Sequence, residues 1–394
     1  MPTSRRSFLR TLGLSGAGVA SASLIGARGR EAMAAELRAA GFAGDGAPGW
    51  APGRLIRISS NENPRGPSEA SLKAIRDALS SSARYPFGPA AALREAVAKL
   101  HGVKPENVLM GCGSTEILRM AVDGFCSPAR PLVTAAPTFE EAAARAEVIG
   151  APVRAIPVDS ALRLDLDKMR AAAAGSGLVF VNNPNNPTGT VHPAKAIEEL
   201  VRGVVKESPD SYVMVDEAYH EYADDPAYAT AVPLALELPH VVVARTFSKA
   251  YGLAGLRVGY AIGRPDTLRL MARHQLGINV NVLGAAAALG ALEDKDLVAR
   301  EQRLNREARA YTQKFFQDAG YTVAPSAANF LMIDIRRDPK AFADAARKMD
   351  VMVGRPFPPL KTHLRVSVGT MDEMRAATEV FKKVLAAPAT ADAG

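Results

Sequence analysis

An α/β fold with a mainly parallel sheet is the fold class this chain predicts, and three observations predict it. From about residue 70, helical patterns alternate with short apolar runs, the order expected of strand–helix–strand units. Ser68 to Leu79 and Ala90 to Leu100 carry apolar residues at helical spacing, with Ser68 placed to cap the first helix and Glu69 in its first turn. Each apolar run ends in a polar cluster. Asn107–Met110 leads into Gly111-Cys112-Gly113-Ser114-Thr115-Glu116 and then a helix; Pro131–Ala136 leads into Pro137-Thr138-Phe139. Leu178–Val181 runs into Asn182-Asn183-Pro184-Asn185-Asn186-Pro187-Thr188-Gly189. Tyr212–Val215 ends in Asp216-Glu217-Ala218-Tyr219, and His240–Ala244 ends in Arg245-Thr246-Phe247-Ser248-Lys249.

The composition is that of an ordinary globular protein: 48% hydrophobic and 23% charged residues over 394 positions exclude disorder, collagen and coiled coil. At about 150 residues per domain, this length suggests two or three domains. A net charge of +7 raises the question of nucleic acid. However, the body of the chain has no Lys/Arg-rich block and few aromatic residues to interleave with one. Residues 1–34 hold five arginines against one glutamate, more than half of the surplus, so no nucleic-acid partner is needed. Two cysteines are too few for a disulfide framework, and the six histidines lie at no metal-ligand spacing.

The N-terminus has the layout of an export signal. Ser4-Arg5-Arg6-Ser7-Phe8-Leu9-Arg10 is followed by an uncharged stretch, Thr11 to Ala27, and by Ala32-Met33-Ala34 as a small-residue cleavage site. The paired arginines before Phe-Leu resemble the twin-arginine motif, an address read by the Tat export machinery that implies a periplasmic protein, or a cytoplasmic one if the signal is unused. The apolar stretch is shorter than the roughly 20 residues of a comfortable bilayer span, so no stable membrane anchor is expected. Residues 35–52, rich in Ala, Gly and Pro, read as a flexible lead-in.

In open α/β sheets ligands bind outside the carboxyl ends of the strands. Five strand ends here deliver Gly/Ser/Thr, Phe, Asn, Asp/Tyr and Ser/Lys to that edge. Together they describe one site with a lysine, a carboxylate, an aromatic face and several hydroxyl or backbone donors. That set fits pyridoxal 5'-phosphate. A lysine can hold an aldehyde cofactor as a Schiff base, and an aspartate can pair with the protonated ring nitrogen. An aromatic ring can stack on the pyridine. A Gly/Ser/Thr turn before a helix can cradle the phosphate.

Asn186-Pro187-Thr188-Gly189, Asp216-Glu217-Ala218-Tyr219 and Ser248-Lys249-Ala250-Tyr251-Gly252-Leu253-Ala254-Gly255-Leu256-Arg257 resemble the aminotransferase class I and II family. Asn61-Glu62-Asn63-Pro64, followed by Gly66-Pro67-Ser68, resembles its histidinol-phosphate aminotransferase branch. The resemblance runs from about Leu55 to the C-terminus. It implies the fold-type I architecture, with a large cofactor-binding domain at 82–284 and a smaller α+β domain from 53–81 plus 285–394.

It also implies roles. Lys249 matches the Schiff-base and proton-shuttling lysine, against a solvated surface lysine. Asp216 matches the ring-nitrogen partner, against a helix N-cap. Tyr219 and Asn186 match the pair that bonds the cofactor's 3′ oxygen, Asn186 also reading as a turn former. Gly113, Ser114 and Thr115 match the phosphate turn, with Thr246, Ser248 and Arg257 completing it. Phe139 matches the stacking position and also reads as core. Tyr85 matches a tyrosine that reaches the neighbouring subunit's phosphate, which implies a homodimer; otherwise it is a surface tyrosine. Arg365 matches the clamp on the substrate α-carboxylate, and Arg355 a second substrate arginine. Arg65 stands where relatives carry an apolar or aromatic residue: it either faces an acidic or phosphorylated substrate group or is solvated.

The implied reaction is ping-pong transamination between an amino donor, an L-amino acid or a histidinol-phosphate-like amine, and a 2-oxo acid acceptor. Its rivals are α-decarboxylation, as in threonine-phosphate decarboxylases, oxidation at the amino acid, and non-catalytic cofactor binding. Histidine biosynthesis is cytosolic, so an export signal leaves the donor open.

Overall fold

A computed structural model describes residues 55–387; the predicted export signal and lead-in lie outside the described residues. In chain order its strands are β1 (Ile56–Ile58), β2 (Val108–Cys112), β3 (Leu132–Ala136), β4 (Val153–Pro157), β5 (Leu178–Asn182), β6 (Tyr212–Asp216), β7 (Val241–Thr246), β8 (Val258–Gly263), β9 (Thr322–Val323), β10 (Phe330–Asp334), β11 (Val351–Val353) and β12 (His363–Ser367). Seven of them form a sheet in the order β2-β8-β7-β6-β5-β3-β4. The neighbours from β4 through β3, β5 and β6 to β7 are parallel, while β8 runs antiparallel to both β7 and β2. The mainly parallel sheet read from the sequence is present, with two strands added, the parallel edge strand β4 and the reversed β8.

The sheet is covered on both faces, which is why its strands read as continuous apolar runs. Side chains alternate between two cores. Val179, Val181, Val213, Val215, Val241 and Val243 enter one, packed under the Phe87–Leu100, Ala194–Glu207 and Val282–Glu293 helices. Leu178, Phe180, Met214, Val242 and Ala244 enter the other, under Gly113–Phe125, Glu141–Val148 and Pro265–Ala272. Ala194–Glu207 shows how the sequence selects a helix: its buried positions 197, 200, 201 and 204 recur at i, i+3, i+4 and i+7. Ser68 caps the Glu69–Ala78 helix as expected, its hydroxyl accepting from Ser71 N at 3.2 Å.

Two smaller sheets, β12-β10-β9 and β1-β11, share a third core with Phe316, Phe342 and Phe381. They matter for function because β12 carries Arg365 and β1 leads directly into the Asn61–Gly66 segment. In the large sheet the register aligns Asn182 with Asp216 and Asp216 with Ala244 across three parallel strands. The polar residues that follow these strands therefore start from one level edge. Among the described residues, no helix is long and apolar enough to cross a membrane.

Candidate active site

The level edge becomes a site because side chains lock the loops to one another. Asn182 spans two strand ends: its Nδ2 donates to the Asp216 carbonyl (3.1 Å) and its Oδ1 accepts from Asn186 N (2.8 Å). Thr138 donates to Asn185 Oδ1 at 2.7 Å, and Asn185 Nδ2 donates to the Pro137 carbonyl, so the Phe139 and Asn186 loops are tied together. Asn186 Oδ1 in turn accepts from Arg365 Nη1 at 2.7 Å, leaving its NH2 as the group available to a ligand.

Asp216 is buried, and its Oδ1 has no hydrogen-bond partner. Burial pushes its carboxyl up to about 7, offset in part by the Ala218 N–H, raised again by Glu217 and lowered by Lys249. The next helical turn starts only at His220 and is flanked by Tyr219, so Asp216 caps no helix. A buried acceptor without a donor is rare in folded proteins and marks a place for a cationic or N–H partner.

Lys249 is half-buried, with Nζ 5.6 Å from the Tyr219 ring centroid. Its pKa is lowered to about 8, first by desolvation and then by Arg365 and Arg257, against Glu62 and Asp216, which raise it. These four groups surround the amine electrostatically, which excludes the solvated-surface reading. The turn after Lys249 is held by close backbone approach. Gly252 has φ +71, and a Cβ there would lie 2.1 Å from the Gly66 carbonyl oxygen. No other residue fits, and the Lys249 loop is thereby seated on the Asn61–Gly66 segment.

A second cluster lies at the start of the Gly113–Phe125 helix. Arg257, with a left-handed φ of 56°, brings Nη1 to 3.3 Å from Ser248 Oγ and Nη2 to 3.4 Å from Thr115 Oγ1. A Cβ on Gly113 (φ +73) would sit 2.1 Å from Arg257 Nη2. Thr246 Oγ1 accepts from Ser248 N at 3.0 Å and fixes the hydroxyl-bearing turn. Gly113, Ser114, Thr115, Thr246, Ser248 and Arg257 thus converge on a helix N-terminus, where free N–H groups and the dipole favour an anion.

Arg365 is buried. Its Nη1 and Nη2 bond Asn186 Oδ1 and the Ser59 carbonyl (2.6 Å), and its Nε has no partner. Burial lowers its pKa to about 10, so it remains a cation at neutral pH. Phe139 is half-buried, its ring packed against the core under the Glu141–Val148 helix. Arg355 lies toward solvent, paired with Glu140. Arg65 is neither free nor solvated: its Nε and Nη2 both reach Glu301 Oε2 at 2.7 Å, which also accepts from Asn63 Nδ2. Tyr85 is not part of its own chain's site. It is 72% exposed beside Phe87, itself 68% exposed.

Several residues of this region were not predicted as site residues. Asn61 donates from Nδ2 to Tyr219 OH at 3.1 Å, and Ser367 Oγ donates to Asn61 Oδ1 at 2.7 Å. The Tyr219 hydroxyl is left free to donate, and its phenol is raised to about 12, chiefly by burial. Asn61 stands in the quoted Asn-Glu-Asn-Pro motif, but only the fold brings it 158 positions along the chain to Tyr219. Phe357, which packs under both Arg355 and Arg365, carried no signal at all.

Comparison with known proteins identifies the family. The family model "Aminotransferase class I and II" covers residues 54–381. The chain belongs to this family and is a pyridoxal-phosphate-dependent aminotransferase. It is 39% identical to the histidinol-phosphate aminotransferase of Symbiobacterium thermophilum over 84% of this chain and 91% of that protein. It is 37% identical to histidinol-phosphate aminotransferase 2 of Pseudomonas aeruginosa, over 85% and 90% of the two chains. Among solved structures, the histidinol-phosphate aminotransferase of Sinorhizobium meliloti, in complex with pyridoxal-5'-phosphate, superposes with a TM-score of 0.79 at 28% identity. That match covers 84% of this chain and 91% of the other.

Proposed function

We propose that this enzyme transfers the amino group of an L-amino acid to a 2-oxo acid, with Lys249 as the attachment and proton-transfer residue and Arg365 as the α-carboxylate clamp. The observation that carries this is Arg365: a buried guanidinium with an unpartnered Nε, joined through Asn186 and Asn182 to the end of the Asp216 strand and felt electrostatically by Lys249. A planar fork in a desolvated pocket selects a carboxylate over a simple amine.

The residues fit pyridoxal phosphate. The unpaired Asp216 Oδ1 suits a protonated ring nitrogen, and the Gly113–Arg257 cradle, which a Cβ would fill, suits the phosphate. When bound, the cofactor supplies an electron sink next to the substrate Cα. Around it, Asp216 would hold the ring nitrogen charged, and the Asn186 NH2 and the Tyr219 OH would donate to the 3′ oxygen. Ser114, Thr115, Thr246, Ser248, Arg257 and the Gly113 turn would bind the phosphate, Phe139 would supply the aromatic face, and Lys249 would move the proton.

A panel of amino donors, histidinol phosphate included, tests the reading in single half-reactions followed by the cofactor's absorbance. Keto-acid formation from an α-amino acid is the expected result. Carbon dioxide release or oxygen uptake without keto acid would refute it.

The same proposal includes a homodimer and export. Supporting the dimer are Tyr85 and Phe87, large apolar side chains left open to solvent near the start of the Phe87–Leu100 helix; light scattering should give twice the chain mass. Supporting the export is the Arg5-Arg6-Ser7-Phe8-Leu9 signal, which predicts a periplasmic fraction that moves to the cytosol when both arginines become lysine.

A further inference from the structure

The turn that forms the phosphate cradle is braced by a residue to which the transfer reaction assigns no role. Glu116 is buried in the first turn of the Gly113–Phe125 helix, and three N–H groups converge on its carboxylate. Oε2 accepts from Cys112 N at 2.5 Å and from Asn279 Nδ2 at 2.7 Å, and Oε1 accepts from Leu276 N at 2.9 Å. Gln275 Nε2 and Asn279 Nδ2 also donate to the Met110 carbonyl on β2, at 2.8 and 3.1 Å. Glu116 thus pins the start of the helix to the end of β2 and to the 275–279 loop.

The same chain holds the complete form of this device. At the Met371–Ala386 helix, Glu373 Oε2 accepts from Thr370 N at 2.7 Å and Thr370 Oγ1 accepts from Glu373 N at 3.2 Å, a full capping box. At the Gly113–Phe125 helix only the glutamate half is present: Cys112 stands at the cap position, and its side chain bonds no backbone N–H. A serine or threonine there would take up an N–H of the first turn. Cysteine leaves those N–H groups to an anion, while Glu116 fixes the backbone that carries them.

We infer that Glu116 is a positioning residue for the cofactor phosphate, holding the 113–115 turn in its anion-binding shape. The inference rests on the reading of the Gly113–Arg257 cradle as the phosphate site. The carboxylate is needed as a group that only accepts. Glutamine has one acceptor oxygen, and its NH2 would face an N–H donor, so either Cys112 N or Leu276 N would lose its partner. Charge works in the opposite sense. A carboxylate repels a bound phosphate, so neutralising Glu116 would by Coulomb's law alone tighten phosphate binding. The direction of the change therefore separates geometry from charge.

Absorbance titration of the cofactor-free full chain with pyridoxal phosphate and with pyridoxal tests this, since the two aldehydes differ only in the phosphate. Glu116→Gln should weaken pyridoxal phosphate binding about 5- to 100-fold and leave pyridoxal binding unchanged, so the preference for the phosphate falls by that factor. Asn279→Ala removes one of the three donors and keeps the carboxylate. It should lower the preference by less, and it stands in for Glu116→Gln if that variant does not fold. Arg257→Ala tests the cradle itself and should lower the preference too. An unchanged or raised preference in Glu116→Gln, with Arg257→Ala lowering it, overturns the role of Glu116 alone. Equal loss on both aldehydes also overturns that role, because it would make Glu116 a general support of the fold. An unchanged preference in Arg257→Ala overturns the cradle reading and the inference with it.

Discussion

Replacing Lys249 with alanine is expected to abolish covalent retention of the cofactor and to slow proton transfer at the substrate Cα by roughly 10²–10⁴-fold. Alanine removes the only amine among the groups that converge on Asp216, Tyr219 and Arg257, so nothing else in the site can take over. Borohydride treatment followed by peptide mass analysis should place the cofactor's mass on the Lys249 peptide of the wild type and nowhere in Lys249→Ala. Recovery of the adduct on another lysine would defeat the assignment. The pH dependence gives a second readout. Desolvation places the folded-state pKa of Lys249 at about 8, below the ordinary lysine range. Below that pH the amine is protonated and cannot attack an aldehyde. The rate at which cofactor-free protein takes up pyridoxal phosphate should therefore rise about tenfold per pH unit up to pH 8 and then level off. An exposed lysine would keep gaining toward pH 10, so the position of the plateau distinguishes a desolvated Lys249 from an ordinary one.

Much of this site was legible in the sequence because its residues follow strands. Asp216, Thr246, Ser248 and Lys249 each sit at or just beyond the end of a buried apolar run, and the parallel register converts that linear position into a common edge. What was not legible depends on contacts between distant segments. Arg245 reads as the first polar residue of a loop, yet it is 2% exposed, and its Nη2 lies 2.7 Å from Glu217, with Glu221 close by. Pattern alone assigns a charged residue to solvent, and only the paired carboxylates reverse that. This buried pair joins the residue after Asp216 to the residue before Thr246 and so sets the spacing of the Asp216 and Lys249 loops. Arg65 taught the same lesson from the other side. Its two sequence readings, a substrate-facing charge or a solvated one, both lacked Glu301, which lies 236 positions away. The reversed strand β8 was missed for a different reason: Val258–Gly263 follows the Lys249–Arg257 loop with only a short 3-10 turn, Ala254–Leu256, between, so it lacked the strand-to-α-helix alternation that marked the predicted strands.

Arg365→Ala should cost the enzyme roughly 2–5 kcal/mol in kcat/KM for α-amino acids, mostly through KM. Two consequences act together. The substrate carboxylate loses its charge-assisted partner, and Asn186 Oδ1 loses the donor that now holds it at 2.7 Å. The second effect reaches the cofactor side, because a rotated Asn186 no longer presents its NH2. Arg365→Lys separates the two. An ammonium keeps the charge, but it cannot bond Asn186 Oδ1, the Ser59 carbonyl and a carboxylate in one plane while stacking on Phe357. It should therefore recover only part of the lost affinity. The discriminating substrate is an amine lacking the α-carboxylate. If Arg365 is the carboxylate clamp, Arg365→Ala should lose on such an amine only the smaller part that Asn186 accounts for, while its rate with amino acids falls by the full factor. An equal loss on both substrates would mean that Arg365 acts only by holding Asn186, and that the carboxylate is bound elsewhere.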